Sequence, residues 1–201
     1  MLISTTILGW LGIFIFLIII ISFKKLITNN EFAFIHILMA LMYAMWLPLP
    51  IALNHILSSG YIQIGTIFGF LYLFMLVLTM TFQAGHITFI VKNNDKKLIN
   101  NKQEEYMMST LSNPFEGLAN VFKCIWAMFL AIAFWLNDEI MMAIIMSIFS
   151  LLLIYYLIIV MDTVLMKHIT LLSKLKANIY VTNIETITFF STLMVYITFN
   201  I

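Results

Sequence analysis

Four ionisable side chains interrupt long apolar stretches of this sequence. His36, His86, Asp162 and Glu185 each lie within about three helical turns of the lysine-bearing end of an apolar segment. A charged side chain inside a transmembrane helix costs about 2.5–3.5 kcal/mol, so such groups normally face protein or water. Because the four lie near the same end of their segments, we expect them to meet at one depth of a helical bundle.

Other polar residues continue these positions at helical spacing. Span three carries Tyr72, Thr79, Gln83 and His86 at steps of seven, four and three residues, which places them on one stripe. Similar stripes are predicted in span two (His36, Ala40, Tyr43), span five (Ser147, Tyr155, Asp162) and span six (Glu185, Thr188, Thr192, Tyr196). We expect all of these stripes to turn inward. The candidate substrate- or proton-pathway residues are therefore His36, Gln83, His86, Asp162 and Glu185.

Two kinds of chemistry are compatible with this set. In a secondary transporter, Asp162 and Glu185 exchange protons or bind a cation, and His36 and His86 modulate their protonation. In a membrane-embedded enzyme, His36, His86 and Asp162 bind a metal ion such as Zn²⁺, and Glu185 acts as general base for water. The three metal ligands would come from separate helices and follow no ligand-spacing motif. The sequence therefore implies no cofactor by motif.

Span four differs from the others because it presents small side chains. They recur at helical spacing on one face, which lets two helix backbones approach closely. This small-residue face consists of Gly117, Asn120, Cys124, Ala127 and Ala131. It predicts a packing surface. In a third hypothesis, a membrane protein partner docks on this face, and the chain acts as a regulator of that partner.

Local signals refine the helix ends. Asn113, Pro114 and Glu116 suit the start of a helix, with the Glu116 carboxylate reaching back to backbone N–H groups. Pro48 and Pro50 are expected to kink the helix of span two or to end it before Asn54, and we favour an end. Lys123 has two alternatives: its ammonium extends to the cytoplasmic headgroups, which we expect, or it pairs with Asp162 or Glu185.

The elements that must position these residues are membrane helices. Apolar residues make up 63% of the chain and charged residues 9%, too little polar surface to cover a water-soluble globule. Since a bilayer core needs about 20 apolar residues in a helix, we predict an all-α bundle of six transmembrane helices forming a single domain. The spans are expected at residues 5–24, 32–54, 62–91, 115–136, 140–166 and 178–199, with a cytoplasmic linker at 92–113.

The lysines predict the orientation of the bundle. All ten lie in or beside alternate gaps between the spans, and the gaps after spans two and four carry none. By the positive-inside rule, the lysine-rich gaps face the cytoplasm and both termini face outside. The first span lacks the positive start and cleavage site of a secretory signal, so we expect it to remain. The lysines are Lys24, Lys25, Lys92, Lys96, Lys97, Lys102, Lys123, Lys167, Lys174 and Lys176.

The expected partner is the lipid bilayer of a cell membrane. Net charge is only +1, which offers no basic face for nucleic acid. The absence of arginine and the abundance of Ile, Asn, Lys and Phe suggest an AT-rich bacterial genome. The chain contains no nucleotide-binding, hydrolase or metalloprotease motif. We therefore expect a small secondary transporter or an accessory subunit of a transport or export system; the metal-dependent enzyme and the regulatory protein are the alternatives.

Overall fold

The computed structural model describes residues 1–57, 60–93, 101–165 and 178–201, without the side chains of residues 101, 104 and 179. Described residues are helical apart from short connections, so the all-α prediction is confirmed. The helices are α1 (Leu2–Thr28), α2 (Phe32–Trp46), α3 (Leu49–Leu57), α4 (Gly60–Asn93), α5 (Asn101–Met107), α6 (Asn113–Leu136), α7 (Ile140–Val164) and α8 (Ile179–Phe199), with a π-helical turn (Met108–Ser112) between α5 and α6.

Among the described residues, five helical segments are long and apolar enough to cross a membrane. They are Leu2–Thr28, Phe32–Leu57, Gly60–Asn93, Glu105–Leu136 and Ile140–Val164. Each coincides with one of the first five predicted spans, so the chain is a multi-pass helical membrane protein. The sixth predicted span corresponds to α8, whose 21 residues include Asn183, Glu185 and several threonines.

Several features of the sequence interpretation lie outside the described residues. They include the end of the fifth span at residue 166 and linker residues 94–100. The side chains concerned are Ser58, Ser59, Lys96, Lys97, Lys167, His168, Lys174 and Lys176.

The proline pair interrupts the second span without ending it. α2 ends at Trp46, and α3 resumes at Leu49 with Pro50 in its first turn, where a missing N–H leaves no helical hydrogen bond unmade. Leu47 keeps right-handed helical dihedrals. Helix α2 therefore ends before Asn54 as expected, but the span does not, because α3 continues it to Leu57 after the break.

Helix α6 is preceded by helical rather than extended chain. α5 and the π-helical turn run directly into Asn113, where α6 begins with Pro114 in its first turn. At its other end, α6 joins α7 through Asn137, Asp138 and Glu139, and Asp138 adopts a left-handed φ of 61° that aspartate tolerates. This short lysine-free connection leaves α6 and α7 antiparallel neighbours.

The half of the bundle nearer the short loop between α6 and α7, which we call the lysine-free half, is packed with aromatic rings. Trp46 stacks on Phe190 with ring centroids 3.7 Å apart, and Trp126 meets Phe189 edge to face at 5.3 Å. Trp46 also donates a 3.0 Å hydrogen bond to the Gly9 carbonyl of α1. We call this set, with Phe149, the aromatic layer.

Glycines let the backbones approach these rings. A Cβ at Gly69 would lie 2.6 Å from the Trp126 ring, and one at Gly12 would lie 2.5 Å from the Trp46 ring. Such distances are far below van der Waals contact, so these positions require glycine unless the indoles move.

The small-residue face of α6 packs inside the chain. A Cβ on Gly117 would lie 2.6 Å from Val160 of α7, and Cys124 packs in a cluster with Tyr156 and Ile159. All five residues of the face are buried, with Ala127 fully inaccessible. The packing prediction is confirmed. The docking prediction for Gly117, Asn120, Cys124, Ala127 and Ala131 is corrected, because this chain's own helices cover that face.

Helix α8 is the least apolar span-length helix, yet one of its faces lies deep inside the bundle. Five of its side chains are fully inaccessible, and among them are the residues that contact α1, α2, α6 and α7. The outward-facing side chains Ile184 and Val195 remain exposed. The inaccessible residues are Phe189, Phe190, Leu193, Met194 and Ile197.

Candidate functional site

Lys123 lies near the middle of a membrane-spanning helix. It follows the first residue of α6 by ten positions, about 15 Å along the axis, and precedes the last by thirteen, about 20 Å. Its side chain is 1% exposed. The expected extension to the headgroups is therefore wrong, because the ammonium turns into the bundle.

Glu185 of α8 is the partner of this ammonium. Lys123 Nζ lies 2.8 Å from Glu185 Oε2, and the glutamate side chain is 5% exposed. Two opposite charges at this distance inside a bundle form a buried ion pair, in which each charge offsets the desolvation of the other. The pairing that we considered less favourable from the sequence is the one observed.

Tyrosines from two further helices enclose the pair. The Tyr156 hydroxyl of α7 donates to Glu185 Oε2, the same oxygen that faces Lys123. The ammonium lies 5.2 Å from the Tyr156 ring centroid and 5.6 Å from that of Tyr72 on α4, within the range of cation–π attraction. Four helices thus contribute one side chain each to this charged centre.

The charged centre has unused hydrogen-bonding capacity. Glu185 Oε1 is buried and has no hydrogen-bond partner among the described residues, and the buried Thr79 hydroxyl two turns from Tyr72 on α4 has none either. Lys123 Nζ forms the ion pair with Glu185 but donates no well-oriented hydrogen bond within the described residues. Buried polar groups in proteins are nearly always paired, so such a concentration indicates a place where another arrangement or a bound molecule satisfies them.

A second polar cluster lies two turns along α6 toward the lysine-rich end. Glu116 Oε1 accepts hydrogen bonds from Gln83 Nε2 at 2.8 Å and from Ser112 Oγ at 2.6 Å. Gln83 also donates to the Leu111 carbonyl at 3.4 Å. Glu116 therefore joins α4 to the π-helical turn through side chains, in place of the backbone cap that we expected.

No protein-family model, curated protein or solved structure matches this chain. Its chemistry must therefore be inferred from the residues just described. Glu116, Asn120 and Lys123 follow at steps of four and three on α6, so they form one polar stripe from the second cluster to the charged centre. Tyr43 of α2 lies within electrostatic range of both Glu116 and Glu185.

The two candidate histidines make contacts of their own. His36 is half-buried, with Nδ1 2.7 Å from the Phe32 carbonyl one turn earlier on α2. His86 is half-buried with its ring centroid 6.0 Å from that of Tyr106, and its Nε2 has no hydrogen-bond partner among the described residues. Neither histidine forms a hydrogen bond or an ion pair with Glu185, so the structure does not show the expected ionisable cluster.

Asp162 is also separate from the charged centre. It lies six residues beyond Tyr156, about 9 Å along α7, and is half-buried. Within the described part of the chain it has neither a hydrogen bond nor an ion pair. Its role in the pathway stays a prediction, as do those of His36, Gln83 and His86.

The metal-enzyme hypothesis finds no centre in the described residues. There, no three His, Cys, Asp or Glu side chains come close enough to hold a metal ion. His36, His86 and Asp162 are all described and do not form such a group. We therefore correct this predicted ligand set.

Sequence reasoning missed Tyr156, misplaced the stripe of α7, and was partly wrong on α8, where Glu185 and Tyr196 are buried but Thr188 is exposed. The predicted inward stripe of α7 was Ser147, Tyr155 and Asp162, but its buried face carries Tyr156 with Ala143, Met146, Phe149 and Ile159. α7 is apolar nearly all round, so hydroxyl spacing was a poor guide to its inner face. On α4, by contrast, Tyr72, Thr79 and Gln83 are buried as their spacing predicts.

Proposed function

We propose that this chain is a small proton-coupled secondary transporter in which Glu185 takes up and releases the proton. The observation that carries the proposal is the Lys123–Glu185 ion pair in the interior of a membrane-spanning bundle. Ionisable groups at such depth usually belong to ion or substrate pathways.

Stability alone is a poor explanation of the pair. Replacing a buried ion pair by apolar residues of similar volume is often neutral or stabilising by about 1–4 kcal/mol, whereas removing one partner is strongly destabilising. A chain that only needed to fold would therefore gain little from Lys123 and Glu185. A function that depends on their charges accounts better for both.

Protonation of Glu185 would change the balance of the charged centre. The carboxylate becomes neutral, and Lys123 remains as an uncompensated charge between the Tyr72 and Tyr156 rings. A bundle cannot hold that charge without cost, so it must rearrange or admit a compensating ion. One proton thereby selects between two arrangements of α6 and α8.

The polar stripe of α6 gives the proton a route. It runs from Glu116 through Asn120 to Lys123, and Gln83 and Ser112 hold its first member near the π-helical turn. Asp162 and the two histidines are proposed to serve the entrance at the lysine-rich end, as their positions in the sequence predict.

We further propose that the lysine-rich end faces the cytoplasm of a bacterial cell and that α8 is a sixth crossing, with both termini outside. The described lysines Lys24, Lys25, Lys92 and Lys102 lie at or beyond the ends of α1 and α4, away from the short loop between α6 and α7. Reporter fusions after residue 201 and at Asp138 should both be active outside the cell. A reporter active only inside at residue 201 would contradict the six-span arrangement.

The transport proposal is tested by pH-jump currents on a supported membrane that carries the purified, reconstituted chain. A pH step should give a transient current in the wild type, and Glu185→Gln should reduce it to the level of protein-free liposomes. Glu139→Gln, in the loop between α6 and α7, is the matched control and should leave the current unchanged. A wild-type current in Glu185→Gln would contradict the proposal. So would a silent wild type, which would favour an accessory subunit that needs a partner.

A further inference from the structure

The groups around Glu185 form a binding arrangement for a carboxylate whose occupant is the chain's own side chain. Lys123 Nζ approaches Glu185 Oε2 at 2.8 Å, and the Tyr156 hydroxyl donates to the same oxygen. An ammonium and a hydroxyl converging on one oxygen are the charge-assisted contacts by which proteins bind carboxylate ligands.

Lys123 depends on Glu185 for its acceptors. Lys123 carries three N–H groups and no acceptor, yet its described charged contact is Glu185 alone. The ring of the fully buried Tyr72 faces the same ammonium, with its centroid 5.6 Å from Lys123 Nζ. If the Glu185 carboxylate leaves Lys123, the ammonium therefore needs other acceptor atoms, which an anion supplies and a cation does not.

The charge of the centre also favours an anion over a cation. When Glu185 is protonated, Lys123 is left positive in the interior of the bundle, which attracts an anion and repels a cation. The carboxylate of the second cluster, Glu116, already accepts hydrogen bonds from Gln83 and Ser112. The titratable groups on the neighbouring helices are Tyr43 on α2, Tyr72 on α4, Glu116 and Cys124 on α6 and Tyr156 on α7.

We propose that the transported substrate is a small carboxylate, which replaces the Glu185 side chain at Lys123 and Tyr156 once Glu185 is protonated. The substrate then restores neutrality while the proton stays on Glu185, so the two move together. Coupling to transport rests on the proposed function; the binding site rests on the geometry alone. A free solute fits better than a lipid headgroup, because Lys123 lies about 15 Å inside the helix.

Binding is tested by thermal unfolding of the full chain in lipid nanodiscs, with sodium acetate as the probe. Acetamide and methylammonium, at matched ionic strength, are the neutral and cationic controls. At a mildly acid pH at which acetate stays ionised, acetate at about 100 times its Kd should raise the Tm by about 5–11 °C, with a smaller rise at neutral pH. The two controls should give no rise.

Two variants separate the site from a general salt effect. Glu185→Gln, which keeps Lys123 and removes the competing charge, should respond to acetate at neutral pH as strongly as the wild type does at acid pH. The double variant Lys123→Gln/Glu185→Gln should respond at neither pH. An acetate response that survives in the double variant, stabilisation by methylammonium, or no acetate response of the wild type at acid pH would each overturn the inference.

The outcome is separable from that of the proton-coupling experiment. Glu185-dependent pH-jump currents without acetate binding would leave proton coupling intact and refute carboxylate specificity. Acetate binding at Lys123 with currents that ignore Glu185 would refute the coupling and leave the binding site.

Discussion

The two halves of this bundle are packed by different physics. In the lysine-free half, the Trp46 and Trp126 rings fit against glycine backbones and both contact the Phe190 ring, so the packing there is close. In the half toward the lysine-rich end, the Lys123–Glu185 pair and the Glu116 cluster are held by charge and by hydrogen bonds, and Glu185 Oε1 has no hydrogen-bond partner among the described residues. The comparison suggests a rigid support beside a centre that can change state.

The largest effect is expected from breaking the ion pair on one side. Lys123→Met leaves the Glu185 charge buried without a cation, and should cost about 3–5 kcal/mol of unfolding free energy. Lys123→Met/Glu185→Gln removes both charges and should recover most of that loss. Thermal or denaturant unfolding in nanodiscs measures both. Equal destabilisation in the single and double variants would show that the charges are not coupled.

The aromatic layer should respond next most strongly, and to size rather than charge. Gly69→Ala places a methyl group 2.6 Å from the Trp126 ring, and the displacement should cost about 1–3 kcal/mol. Gly85→Ala on the same helix is the matched control, because nothing lies within 4 Å of its Cβ position; it should stabilise by about 0.5–1 kcal/mol. Equal effects at both positions would refute the close packing at Trp126.

The second polar cluster should show a smaller loss. Gln83→Leu removes one of the two side-chain donors to Glu116 and should cost about 1 kcal/mol, since Ser112 remains. The exposed Gln63 on the same helix provides the control Gln63→Leu, which should be nearly neutral. Equal Tm values for Gln83→Leu and Gln63→Leu would show that the hydrogen bond from Gln83 to Glu116 does not stabilise the fold.

Asp162 should give the smallest effect on stability. Within the described residues it pairs with nothing, so Asp162→Asn should leave the unfolding midpoint of the chain within about 0.5 kcal/mol of the wild type. The Asp162→Asn variant should keep its pH-jump current, and that current should still depend on Glu185. If Asp162→Asn abolished the current while Glu185→Gln kept it, the sequence-based preference for Asp162 would replace the present assignment.

The class and most of the helices could be predicted because they follow from one-dimensional signals. Apolar length located the spans, and the polar spacing in α4 located its buried face. The break at Pro48 was predicted as an end, since local signals cannot show that tertiary packing carries the chain on into α3.

The site was less predictable because it depends on helix rotation and on which elements pack together. Lys123 was expected at the headgroups since a long side chain can reach them, but that expectation ignored its position near the middle of α6. α7 is apolar on all sides, so spacing could not select Tyr156 over Tyr155 as the inward ring. Glu185 was selected correctly as a buried carboxylate, but its partner was not the one expected.

Infrared difference spectroscopy between neutral and acid pH, on the full chain in lipid, detects the protonation of Glu185 itself. We predict a carboxyl C=O band that appears on acidification, disappears in Glu185→Gln and persists in Asp162→Asn and Glu139→Gln. A spectrum of Glu185→Gln identical to that of the wild type, at every pH where the protein stays folded, would contradict the central claim.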